Sequence, residues 1–134
     1  MKFLIPFLVL FSMSTQAALP LWRGTTLPLR EIEKRWGKIE STAHQFKTGD
    51  PKTRASMAAS LLKRQKEFKG KPVQSIRELL GPNDGFYFTD VYPAYFIQVG
   101  RNHSEETWQI VFLLDRERHV DEIVVHKNCC DSSR

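Results

Sequence analysis

Lys71-Pro72-Val73-Gln74-Ser75-Ile76-Arg77-Glu78-Leu79-Leu80-Gly81-Pro82-Asn83-Asp84-Gly85 is the joint at which the hydrophobic period of the chain changes. Pro72 suits the first turn of a helix, where its missing N–H is no loss. Val73, Ile76, Leu79 and Leu80 then share one helical face. Gly81 can take the left-handed conformation that ends such a helix, and Pro82 forbids its continuation. Asn83-Asp84-Gly85 reads as a turn. Before this joint apolar residues recur at helical spacing; after it they alternate. Helices followed by strands predict an α+β fold, a two-layer sandwich with N-terminal helices packed on a three- to four-stranded antiparallel sheet.

Upstream, Pro28 can open a helix. Leu29, Ile32, Trp36, Ile39, Ala43 and Phe46 follow at spacings of three and four, which predicts one amphipathic helix over 28–47 with Gly37 as a weak point inside it. Asp50 reads as an N-cap and Pro51 as the first position of a second helix over 51–68. The short helix 72–80 closes this half. Downstream, Tyr95 to Val99, Trp108 to Leu114 and Val120 to His126 read as strands joined by short turns, hence an antiparallel meander. On the central strand Trp108, Ile110, Phe112 and Leu114 point one way and Gln109, Val111 and Leu113 the other. That second face is partly apolar. It is either a docking surface or the seat of a covering segment, drawn from the residues around Trp22 or from Phe86 to Tyr92.

The chain has 134 residues, enough for one small domain. Lys2, the apolar run Phe3 to Phe11, and Thr15-Gln16-Ala17 together read as an export signal over 1–17, cleaved after Ala17. The apolar run is well short of the ~20 residues that span a bilayer. The expected product is periplasmic or secreted and does not span the membrane. Residues 18–27 form an irregular lead, 51–126 the main α+β domain, and 127–134 a flexible tail. Charge is uneven: residues 18–80 hold 14 Lys/Arg against 6 Asp/Glu, and residues 81–134 hold 5 against 9. The basic half is either a solvated surface or a peripheral contact for an acidic partner or anionic head groups. No stacking-plus-basic module points to nucleic acid.

His126, Cys129 and Cys130 carry the residue types of a metal site, with His119 or Asp131 as a fourth candidate ligand. The two cysteines alternatively form a disulfide, within the chain or between chains. A bridge between neighbours is strained, because their Cα atoms sit about 3.8 Å apart. His103 and Ser104 lack the strained turn and oxyanion donors of a nucleophilic site. No glycine-rich phosphate loop is present, and no cofactor is expected. The strongest interface composition is the aromatic set Phe86, Tyr87, Phe88, Tyr92, Tyr95 and Phe96, since Tyr-rich patches carry binding energy.

A helix ending in Phe68, then Gly70-Lys71, Leu79-Leu80-Gly81-Pro82, Asp84, the Trp108-to-Leu114 strand, Asp115 and the Val120-to-Val125 strand form a pattern over about residues 54–126. It resembles the small bacterial envelope domains of the SmpA/OmlA (BamE-like) type, which are similar in architecture to the β-lactamase-inhibitor-protein repeat. The resemblance implies two helices on a three-stranded sheet and a non-enzymatic protein that binds other envelope proteins. The chain departs from that pattern in lacking a lipid-bearing Cys after the signal, in placing Pro82 directly after Gly81, and in its added helix over 28–47. The resulting expectation is an exported protein-binding domain acting in envelope assembly or integrity. The alternatives are an inhibitor or immunity-type protein that binds a target enzyme, and a small metal-handling or redox protein.

Overall fold

Gly37 decides the shape of the N-terminal helical region. The computed structural model describes residues 25–102 and 104–128. Helix α1 runs Leu29–Trp36, and Gly37 ends it at φ +101°, a conformation that side-chain-bearing residues rarely adopt. Residues 37–42 are not helical, and the Ile39 N–H donates to the Ser56 carbonyl at 3.1 Å. Helix α2 then runs Ala43–Thr48, with the Thr42 hydroxyl accepting the Gln45 N–H. The single helix expected over 28–47 is therefore two short ones. Ile39 continues the helical spacing but stands exposed, because the chain has already left the helix.

Helix α3, Pro51–Lys63, starts as expected: the Asp50 carboxylate accepts the Thr53 N–H at 2.8 Å and Pro51 takes the first position. Arg64 interrupts the helix, and α4 covers only Gln65–Phe68. Helix α5 is Val73–Leu80, with Pro72 just ahead of it and Gly81 closing it. The strands β1 (Ala94–Gln98), β2 (Thr107–Leu114) and β3 (Val120–Asn128) form an antiparallel sheet in the order β1-β2-β3. The register pairs Tyr95 with Ile110 and Ile110 with Val125, so these three share one face. That face packs with Ile32, Phe46, Ala58, Leu61 and Ile76 in the main core. The result is helices on one side of a three-stranded sheet, the expected α+β sandwich. Among the described residues no helix is long and apolar enough to cross a membrane.

Helix α1 is joined to the sheet by an indole pair. Trp36 meets Trp108 edge to face at 6.3 Å, and the Arg35 guanidinium lies over both rings. Trp36 Nε1 donates to Gln98 Oε1 at 3.3 Å and Trp108 Nε1 to Glu106 at 2.6 Å. Trp108, aided by Lys127 and Arg35, holds the Glu106 carboxyl below the usual range.

Both outer edges of the sheet are engaged. Thr25–Leu27 pairs with β3, the Leu27 N–H on the Val125 carbonyl and the Lys127 N–H on Thr25. Further along β3, Gly70 donates to Val120, Val120 to Lys71, and Val73 to Arg118. On β1, the Ala94 carbonyl accepts the Gly85 N–H and the Phe96 N–H donates to Asp84. The expected export signal over 1–17, Trp22, His103, Cys129, Cys130 and Asp131 lie outside the described residues.

Candidate functional site

Gln109 is the polar residue in the middle of an apolar strand, and it is fully buried on the face away from the helices. A buried amide needs partners for both ends. Its Oε1 accepts the Phe86 N–H at 3.0 Å and its Nε2 donates to the Phe86 carbonyl at 2.7 Å. Residues 82–93 are thereby laid across the second sheet face. Gly85 makes the approach possible: a Cβ there would stand 2.4 Å from Gln109 Oε1.

The same segment is held at three further points. Asn83 Nδ2 donates to the Tyr92 carbonyl at 2.7 Å. Arg77, from α5, donates to the Asp90 and Val91 carbonyls. Arg54, from α3, grips both Asp84 oxygens at 3.0 and 2.7 Å, and its guanidinium is almost fully buried. The covering segment is thus Phe86 to Tyr92. Beneath it Tyr87, Ala94, Val111 and Val124 form a second small core, with Tyr92 and Leu113 packed against it.

The six aromatics considered for one surface divide by position. Tyr95 faces the helices, buried edge-on against Phe46 at 5.2 Å, with its hydroxyl donating to the Gly81 carbonyl at 2.8 Å. Burial raises its phenol pKa. Tyr87 is buried in the second core, edge-on to Phe88, Tyr92 and His126. Tyr92 and Phe96 are half-buried. Phe86 and Phe88 project, 54% and 63% exposed. Phe88 does so from a backbone at φ +57°, where the Thr89 N–H returns to the Tyr87 carbonyl at 2.6 Å. This three-residue turn with a positive central φ is the rare, strained form. It aims the ring outward.

His126 serves the second face: its Nδ1 lies 3.4 Å from Gln109 Nε2, and burial lowers its pKa. Its proposed metal partners Cys129 and Cys130 fall outside the described residues. Among the described residues no cluster of three His, Cys, Asp or Glu could hold a metal. Neither Gln109 nor Arg77 was singled out by sequence. Gln109 carried a visible signal, a lone amide inside Trp108-to-Leu114; the reach of Arg77 to 90–91 carried none. Chemically, the arrangement offers two rings on a backbone fixed from four directions.

Compared with described protein families, with curated proteins and with solved structures, the chain matches none.

Proposed function

We propose that the chain is an exported, non-enzymatic docking module that binds another protein of the cell envelope, with Phe86 and Phe88 as its anchors. The observation that carries this reading is the exposure of two phenylalanine rings at the tip of a segment pinned by Gln109, Asn83, Arg77 and Asp84. Exposed aromatics on a rigid backbone bind with little ordering cost, since their geometry is set beforehand. Backbone strain, as at Phe88, tends to persist at ligand clamps where the surroundings over-determine it. The export signal read over 1–17 supplies the compartment, and the SmpA/OmlA resemblance accords with an assembly or integrity role.

The test is capture of residues 18–134 with partners from the native envelope, identified by mass spectrometry, beside a Phe86→Ser/Phe88→Ser double variant. A partner held by the parent should lose at least about 30-fold in affinity to the double variant, the scale of one interface hot spot. Circular dichroism should show the same fold. A partner retained undiminished by the double variant refutes this surface.

A further inference from the structure

Gln109 serves two neighbours with one amide. A primary amide has two N–H donors and one carbonyl acceptor. Oε1 takes the Phe86 N–H at 3.0 Å, and Nε2 gives one proton to the Phe86 carbonyl at 2.7 Å. The second Nε2 proton is left for His126 Nδ1, 3.4 Å away. That ring nitrogen must therefore accept, which requires the neutral imidazole with its own proton on Nε2. A proton on Nδ1 turns the acceptor into a donor aimed at another donor. Rotating the Gln109 amide by half a turn would satisfy the charged ring, but it would set a donor against the Phe86 N–H and an acceptor against the Phe86 carbonyl. Charged His126 and the paired bonds to Phe86 thus exclude each other.

The surroundings offer the charged ring no compensation. Tyr87 of the covering segment stands perpendicular to it at 5.0 Å, Gln109 reaches it from β2, and Thr26 is paired across from it. Of these three only the Tyr87 phenol is titratable. Lys127, the next residue on β3, faces the other way and lies 3.8 Å from Glu106. Glu122 shares the face of His126 but stands four residues along β3, roughly 13 Å away at strand spacing. Burial, with no charge contributing, lowers the pKa of the ring.

We propose that His126 is a proton-operated release for the docking segment: protonation of Nδ1 turns the Gln109 amide away from Phe86 and frees residues 86–89 from the sheet. That this governs partner binding rests on the docking reading above; the release itself does not. The test is amide exchange of the free chain at about pH 7.5 and about pH 5, above the range in which most carboxylates titrate. Rates are divided by their intrinsic values, Ile110 in the main core is the reference, and a chelator is present throughout so that no metal sets the charge of the ring. With a freed imidazole titrating near 6.5, opening gains up to about 30-fold at the lower pH, so Phe86 should lose about three- to 30-fold in protection relative to Ile110. His126→Gln takes up no proton and should show no such relative loss. In the parent, the Gln109 side-chain nitrogen and the Phe86 amide should titrate by NMR with the midpoint of the His126 ring carbons, a check that needs no variant.

Equal loss at Phe86 and Ile110, the same relative loss in His126→Gln, or a Phe86 midpoint apart from that of the ring overturns the release. A partner held through Phe86 and Phe88 should bind more weakly at the lower pH by the same factor, and His126→Gln should flatten that dependence. A partner indifferent to pH while Phe86 exchange responds overturns the control of binding. Exchange is read without a partner, so failure of the docking reading leaves the release standing, and failure of the release leaves Phe86 and Phe88 to the capture test.

Discussion

Phe88 is a poor residue for its own backbone. A bulky side chain at φ +57° is strained, and such positions cost of order 1–3 kcal/mol. The ring is also mostly in water, so packing offsets little of that cost. Comparing Phe88→Gly with Phe88→Ala isolates the strain, because both remove the ring and only glycine accepts the backbone freely. Phe88→Gly is expected to be more stable than Phe88→Ala by about 1 kcal/mol in urea unfolding, and both should lose the partner. His126 makes a second residue-scale prediction. Burial places its folded pKa below the unfolded value near 6.5. The unfolded chain therefore takes up the proton first as pH falls. The stability tied to neutral His126 is complete above about pH 6.5 and declines as pH drops from there towards the lower folded pKa. Urea unfolding at successive pH values should show this decline, and His126→Gln should remove it. Neither feature is written in the local sequence: the sign of φ at Phe88 follows from the pins around it, and the burial of His126 from Tyr87 lying over it.

At the scale of elements, Gln109 joins strand β2 to the segment over the second sheet face. Gln109→Leu would keep the bulk and strip partners from the Phe86 N–H and carbonyl. Leaving such groups unmet costs about 2 kcal/mol, so urea unfolding should show that loss. The Phe86 amide should also exchange with solvent faster, and partner affinity should fall with both rings still present. The strands and their alternation were legible in the sequence because burial of both faces was written in residue type. Alternation alone also separates Tyr95 from Phe96, since neighbours on a strand face opposite ways. The register puts Tyr95 with Ile110 on the helical side and Phe96 with Gln109 on the other. The break between α1 and α2 was not legible from spacing, because Ile39, Ala43 and Phe46 keep a helical rhythm across a non-helical linker. Gly37 was the signal, with Thr42 as the cap that restarts the helix. Arg64 splits the next helix without any such marker.

For the whole molecule, the engagement of both sheet edges bears on how a partner can bind. Thr25–Leu27 and Gly70–Val73 sit along β3, and the Asp84-Gly85 turn caps β1, which ends in an irregular register after Phe96. Closed edges oppose strand addition. In hydrogen exchange of the complex, amides of Phe96 to Gln98 and Asp121 to Val124 should gain no protection, while Phe86 to Thr89 should. New protection along β1 would show that the partner adds a strand. The charge asymmetry of the two halves partly serves cohesion. Arg54 and Arg35 of the basic half turn onto Asp84 and Glu106 of the acidic half. The indole pair has an optical consequence. Two chromophores 6.3 Å apart and inclined by 67° couple their excited states, so Trp36 and Trp108 should give the folded chain a paired positive and negative band in its ultraviolet circular dichroism. One ring belongs to α1 and the other to the second strand, 72 positions later in the chain. The amplitude of that couplet measures whether the first helix is seated on the sheet, separately from whether either is folded.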